Sequence, residues 1–288
     1  MTGDKLLVGL IGAGIQRSLS PAMHEEEARH HGLRLHYQLI DLDASPGRPP
    51  ELPALLSALQ AIGFGGVNVT FPCKQAIVPL LDDLSPDARA MGAVNTVVMH
   101  EGRMVGHNTD GSGWAWGFRR SLPNANLCCV VLQGAGGAGS AIAHALLRMG
   151  TRELRIADQL PERSRALADA LQRLHPAASI LATDRIEAAL DGASGLVHAT
   201  PTGMVKLPGL PVPSALLRPP LWVAEVVYFP LETELLRVAR ALGCEVVDGG
   251  KMAVGQAVGA FELFTGRKPD AARMEAHFHA MIASRGTA

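Results

Sequence analysis

Gly134-Ala135-Gly136-Gly137-Ala138-Gly139 is the stretch that decides the fold of this chain. The apolar run Leu127 to Leu132 leads into it, and the small-residue amphipathic segment Ser140 to Met149 follows. A second apolar segment, Glu153 to Ala157, ends in Asp158. Strand, glycine turn, helix, strand, acid is the order a dinucleotide site needs. The glycines let backbone approach a pyrophosphate, and free N–H groups at the helix start hold its negative charge. Asp158 is placed to accept hydrogen bonds from a ribose diol.

Outward from this turn, further strands are expected at Ser179–Leu181, Gly195–His198, Leu221–Val226 and Cys244–Val247, making a doubly wound parallel sheet. The Pro-rich stretch Leu207–Pro220 reads as a surface loop. Because the turn begins near the middle of 288 residues, something else fills the first third. There Lys5–Ile11, Leu33–Leu42 and Gly66–Thr70 read as strands, and Pro21–His31 and Leu52–Ile62 as helices. Val94–Met99 with Arg103–His107 reads as a hairpin. A helix carrying Trp114, Trp116 and Phe118 leads into the nucleotide domain. The chain is therefore α/β, with an N-terminal α/β domain at 1–110 and a Rossmann-type domain at 111–247. Residues 248–288 hold two helical segments, Met252–Phe264 and Ala271–Ile282, which cannot extend the sheet and return to the first domain. Gly12-Ala13-Gly14 mimics a nucleotide fingerprint, but Arg17 stands at the third glycine position, where a side chain prevents close helix packing.

Composition narrows the function classes. With 48% hydrophobic and 18% charged residues, the chain is ordinary for a soluble enzyme. A net charge of −1 and scattered basic residues argue against nucleic acid as a partner. No apolar stretch is long enough to span a bilayer. Lys5 followed by Leu6 to Ile15 lacks a cleavage site and reads as a core strand and turn, so a cytoplasmic protein is expected. Cys73, Cys128, Cys129 and Cys244 form no C-x-x-C pair, and Cys128 with Cys129 falls in an expected buried strand. The eleven histidines form no H-E-x-x-H cluster, so neither disulfides nor a metal are expected.

Four polar motifs of the first domain fall at strand ends, where sites in open α/β sheets form. In Ser18-Leu19-Ser20-Pro21, Ser20 suits a helix N-cap, while Ser18 has no such local role. Two hydroxyls on one turn could hold a carboxylate. Gly66-Val67-Asn68-Val69-Thr70-Phe71-Pro72-Cys73-Lys74 delivers a lysine to a helix start, against the helix dipole. A solvated lysine is the plainer alternative. Gly92-Ala93-Val94-Asn95-Thr96 and Gly106-His107-Asn108-Thr109-Asp110-Gly111 could each be only turns, with Asp110 as a helix cap.

In this order and spacing, Ser-x-Ser-Pro, N-V-T-x-P-x-K, G-A-V-N-T, N-T-D-G and G-A-G-G-A-G resemble the shikimate dehydrogenases. The resemblance continues through Ala199-Thr200-Pro201-Thr202-Gly203-Met204, Val227-Tyr228-Phe229-Pro230 and Gly250-Lys251-Met252 to Gln256-Ala257. It covers nearly the whole chain and looks nearest to the NAD-preferring quinate/shikimate dehydrogenases. It implies that 1–110 is the substrate-binding and catalytic domain, with Lys74 and Asp110 as the catalytic pair. Ser18 and Ser20 would bind the substrate carboxylate, Thr70, Asn95 and Gln256 the ring hydroxyls, with Tyr228 near the substrate. Thr200, Gly203, Met204 and Gly250 would join the glycine turn and Asp158 in holding the cofactor. No metal belongs to this set.

The implied reaction removes a hydride to a nicotinamide and a proton to the protein. A lysine beside a carboxylate serves both directions: the ammonium steadies alkoxide charge and the pair passes one proton. NADP-using members typically carry Asn-Arg-Thr where this chain has Asp158-Gln159-Leu160. A carboxylate there repels a 2′-phosphate, by a few kcal/mol at about 4 Å and intermediate dielectric, so NAD is expected. Arg155 and Arg163 are the residues through which NADP could still be held. In the family a threonine at the position of Ser20 is associated with quinate use, so serine ranks shikimate first, quinate second and an aminoshikimate-type substrate third. A methylenetetrahydrofolate dehydrogenase is disfavoured by the Ser-x-Ser and N-T-D motifs. A non-catalytic sensor of the same metabolites is disfavoured by the intact Lys74 and Asp110. The expected partner is a small molecule, with no nucleic acid or membrane, for a monomer or homodimer in aromatic amino acid biosynthesis or quinate catabolism.

Overall fold

Two sheets of six strands each organise the described residues, 5–44 and 51–285 of a computed structural model. They belong to two units, one running to Thr109 and resuming at Gln256, the other Asp110–Gly255.

The first unit holds β1 (Lys5–Gly12), β2 (Arg34–Asp41), β3 (Gly66–Val69), β4 (Asp83–Leu84), β5 (Thr96–His100) and β6 (Arg103–His107). Their order is β2-β1-β3-β5-β6-β4, with β1 parallel to β2 and β3, and β5 antiparallel to β3 and β6. Because β5 runs back, its first residue lies beside the last residues of its neighbours: Thr96 pairs with both Asn68 and His107. That reversal gathers three polar strand ends on one edge. Side chains alternate along β1, so Val8 and Leu10 pack with Tyr37, Ala260 and Phe264, while Ile11 packs with Leu56, Val67 and Val97. The two-residue β4 was not expected; so short a strand carries no alternation to read.

Helix Ala271–Arg285 is tied to helix Ser20–His30 by one buried carboxylate. Glu27, 1% exposed, accepts from Arg273 Nε and Nη2 at 2.8 and 2.6 Å and from the Asp270 N–H at 2.8 Å. Burial pushes this carboxyl up, but the guanidinium and the N–H outweigh it and hold it below its ordinary value.

The second unit holds β7 (Cys129–Gln133), β8 (Glu153–Ala157), β9 (Ser179–Thr183), β10 (Gly195–His198), β11 (Trp222–Glu225) and β12 (Val246–Val247). All pairs are parallel, in the order β12-β11-β10-β7-β8-β9, so the order reverses between β7 and β10. Ligands of open parallel sheets bind at such a reversal, outside the carboxyl ends of the strands. One face is covered by Trp114, Phe118, Ile142 and Leu146, with Phe118 stacked on Trp114 at 4.8 Å and edge-on to Trp222 at 4.7 Å. The other face packs Leu235, Ala239, Val212 and Leu217.

Three readings of the sequence are corrected or shifted here. Leu207–Pro220 is more than a surface loop, since Val212 and Leu217 are each 2% exposed and anchored in the core. Isolated apolar residues between prolines have no period by which to read them. Cys128 lies exposed ahead of β7, with Arg152 Nη2 donating to its Sγ at 2.8 Å, and only Cys129 enters the strand. All four cysteines are free. The units also divide after Thr109 and between Gly255 and Gln256, rather than after Asp110 and Val247. Asp110 opens helix Asp110–Ser121, and the second division falls inside helix Gly250–Thr265, where unbroken helical sequence offers no punctuation. Among the described residues, no helix is long and apolar enough to cross a membrane, and no three His, Cys, Asp or Glu side chains cluster as a metal site.

Candidate active site

At the polar edge of the first unit, the turns after β1, β3 and β6 and the turn before β5 are bonded to one another. Thr70 N–H donates to Ile11 O, and Ala13 N–H to Phe71 O, both at 2.9 Å. These bonds join the turn carrying Ser18 and Ser20 to the one carrying Thr70 and Lys74. Lys74, half-buried, is the second residue of the short helix Cys73–Ala76, and its carbonyl accepts from Val94 N–H at 2.9 Å. That bond fastens it to the turn that presents Asn95.

Asn95 is 3% exposed and is held from two sides. Its Nδ2 donates to Thr109 Oγ1 at 2.9 Å, and its Oδ1 accepts from Thr109 N–H at 2.8 Å. The Thr109 hydroxyl reaches the Gln256 carbonyl at 3.1 Å, which brings Gln256 into the same group. Deeper, Asn68 Nδ2 donates to Thr96 Oγ1 at 2.9 Å, and Tyr37 Oη donates to Asn68 Oδ1 at 2.7 Å. Burial pushes the Tyr37 phenol up, and the neighbouring Ser20 hydroxyl acts against that shift. With Thr96 Oγ1 donating to Asn95 Oδ1 at 3.0 Å, a chain of hydrogen-bonded polar groups runs from Tyr37 to the Gln256 carbonyl.

Ser20 does not cap its helix. It is the first helical residue, Leu19 is the cap without a side-chain bond, and Ser18 Oγ accepts from Ser20 N–H at 3.2 Å. The hydroxyl that meets the backbone at this helix start is that of Ser18, not Ser20. Tyr37 and Asn68 were not picked out as site residues. The legible signal was a tyrosine in a half-buried strand, whose phenol needs a partner.

In the second unit the glycine turn follows β7 and opens helix Gly137–Arg148. Gly134 has φ +111, and a Cβ there would stand 2.6 Å from Ala199 O. A Cβ on Gly139 would stand 1.9 Å from Gly134 O, so neither position admits another residue without shifting the turn. Gly136, between them, has nothing within 4 Å of where its Cβ would be. That cradle fits a dinucleotide: closed where helix meets strand, open where a pyrophosphate approaches. Asp158 Oδ2 accepts from Ala135 N–H at 2.7 Å and Oδ1 from Leu160 N–H at 2.9 Å, which fixes its carboxylate beside the turn. Arg155 is committed elsewhere, to Glu153 and to the carbonyls of Ala189 and Asp191, each at 2.7 Å. Arg163 is exposed in the first turn of helix Pro161–Leu174.

The remaining expected residues of this unit lie on turns after strands. Thr200, Gly203 and Met204 follow β10, and Tyr228, 38% exposed, follows β11. Gly250 N–H donates to Asp248 Oδ1 at 2.9 Å as its helix begins. Asp110, 5% exposed, is the first residue of the second unit, next in the chain to Thr109.

Residues 10–97 match the model described as shikimate dehydrogenase substrate binding domain, and 251–277 that of the shikimate 5'-dehydrogenase C-terminal domain. A shikimate dehydrogenase (NADP(+)) of Streptomyces avermitilis is 57% identical, covering 95% of each chain. A quinate/shikimate dehydrogenase (NAD(+)) of Corynebacterium efficiens is 47% identical, covering 96% of this chain and 99% of the other. Quinate dehydrogenase from Corynebacterium glutamicum, solved in complex with NAD, superposes with a TM-score of 0.92 at 46% identity over 96% of this chain and all of the other. The chain belongs to the shikimate dehydrogenase family.

Proposed function

We propose that this chain is an NAD-dependent dehydrogenase that interconverts shikimate and 3-dehydroshikimate, with quinate and 3-dehydroquinate as the second pair. The observation that carries this reading is the polar edge of the first unit, where hydroxyl and amide groups gather around a few turns and the backbone of Lys74 is fastened to one of them. Such a set suits a small polyhydroxylated carboxylate. Ser18 and Ser20 would take the carboxylate, while Thr70, Asn95 and Gln256 would take ring hydroxyls and Tyr228 would lie against the substrate.

Lys74 and Asp110 would act on the reacting carbinol. In oxidation the C–H bond breaks with its electron pair, the O–H proton passes to the Lys74–Asp110 pair, and the carbonyl forms. A bound nicotinamide supplies the hydride acceptor. The reverse direction returns the proton from the pair to the developing alkoxide.

Asp158 supports NAD over NADP. Its carboxylate is fixed by two backbone N–H groups where a 2′-phosphate would lie, and Arg155 is turned away from that position. The 57% identical relative is named for NADP(+), so cofactor choice is the sharpest test. A panel of shikimate and quinate with each nicotinamide cofactor, read as absorbance of the reduced form, should give higher catalytic efficiency with NAD. A preference for NADP would overturn that assignment. Lys74→Ala should lower kcat at least about a hundredfold while the protein stays folded, and near-normal turnover would remove Lys74 from the mechanism. A non-catalytic sensor of the same metabolites, or a dehydrogenase of an aminoshikimate-type substrate, finds no support among these relatives. A cytoplasmic monomer or homodimer completes the reading.

A further inference from the structure

The second unit contains a buried polar cluster that the roles above leave unused. His198 ends β10 and Glu225 ends β11, paired across the sheet with side chains that are both fully buried. Glu225 Oε1 accepts from the N–H groups of Val226 and Val227 at 2.8 and 3.0 Å and meets His198 Nδ1 at 2.8 Å. Its Oε2 accepts from Thr233 Oγ1 at 3.1 Å. A carboxylate only accepts, so Nδ1 carries a hydrogen towards Glu225, and Nε2 on the other side of the ring meets Thr200 Oγ1 at 2.5 Å. Thr200 Oγ1 in turn meets Thr202 N–H at 3.4 Å. Gly203, at φ +94, rests on the same group: a Cβ there would lie 3.5 Å from Thr233 Cβ and 4.0 Å from Glu225 Oε2.

One carboxylate therefore braces two turns, 199–204 directly through His198 and 226–228 through backbone N–H groups. An apolar pair would fill this space at less desolvation cost, so packing alone does not account for the cluster. Position supplies the reason. The glycine turn follows β7, and Asp158 follows β8 on one side of it. The turn after β10 stands on the other side of the reversal in strand order, where the second half of a dinucleotide lies.

We infer that His198 and Glu225 are positioning residues, which hold the Thr200–Met204 turn in the geometry that grips the nicotinamide end of the cofactor. The inference rests on the proposed role of Thr200, Gly203 and Met204 in cofactor binding. His198→Leu removes both ring bonds, and Thr200→Val removes the hydroxyl alone while leaving the buried pair intact. Each is expected to weaken NAD binding about tenfold, the scale of one or two hydrogen bonds. ADP-ribose, which lacks the nicotinamide ring, should bind both variants within about twofold of the parent, by titration calorimetry. His198→Gln keeps a donor and an acceptor and should recover most of the loss. Equal weakening of NAD and ADP-ribose in both variants would make the cluster merely structural and overturn the inference. Met204→Ala separates the two layers of the reading. If it weakens NAD while Thr200→Val and His198→Leu do not, only the positioning role falls. If it leaves NAD binding unchanged, the turn's cofactor role falls, and the positioning role with it.

Discussion

The polar edge of the first unit and the glycine turn of the second are built on opposite plans. The edge is a mesh of buried side chains, in which Tyr37, Asn68, Thr96, Asn95 and Thr109 satisfy one another. The glycine turn works by what it lacks, since Gly134 and Gly139 leave no room for a Cβ and Gly136 leaves an open approach. A mesh fixes hydroxyl and amide directions for a substrate with many polar groups. A bare backbone admits a charged diphosphate at short range. The two regions should therefore fail differently when changed.

The largest effect is expected at the turn. Gly139→Ala places a Cβ against Gly134 O, a clash that costs about 3 kcal/mol and should weaken NAD about a hundredfold. Binding of shikimate or quinate, measured separately by calorimetry, should survive, because the first unit has its own core. Retained NAD affinity would break the distinction. Asn68→Ala tests the mesh: it removes the acceptor of the Tyr37 phenol and one of the two partners of the Thr96 hydroxyl, and should cost about 2 kcal/mol in thermal or urea unfolding. A change well under 1 kcal/mol would mean that water replaces the amide readily.

His24 sharpens the contrast from inside the first unit. It is fully buried among Tyr37, Phe261 and Phe264, and neither ring nitrogen has a partner among the described residues. Burial lowers its pKa to about 3 from 6.5. The unfolded chain then binds the extra proton between those values, so stability is full above about pH 6.5 and falls as pH drops towards 3. By linkage the loss is about 2 kcal/mol at pH 5. In His24→Leu this part of the acid limb should flatten, and an unchanged slope in unfolding at pH 5 and 7 would contradict the assignment. The smallest change is expected from Asp158→Ser, which removes the repelling carboxylate without adding a cation. The ratio of NAD to NADP efficiency should narrow about tenfold. No narrowing would shift cofactor choice to Arg163.

Most of the architecture was legible because periodicity survives in a linear string. The strands around the glycine turn alternate with helices, and the hairpin Thr96–His107 shows as two apolar runs around Glu101-Gly102. What escaped was short or aperiodic: β4, the core anchors Val212 and Leu217, and the exposed position of Cys128. At the site, the motif residues could be read from their places at strand ends, whereas Tyr37 could not. Its role depends on a phenol meeting Asn68 from another strand, a contact no local pattern encodes.

From its residues alone the chain determined where backbone must come close and which chemistry it carries. Gly134, Gly136 and Gly139 set the first, and the serines, Lys74, Asn95 and Asp158 the second. Only the tertiary structure decided which of these groups brace one another. Antiparallel β5 lays Thr96 beside Asn68 and His107, and the parallel ends of β10 and β11 bury His198 against Glu225. Those pairings are set by strand order and register. A hydrogen bond acts over about 3 Å in space, whatever the separation along the chain.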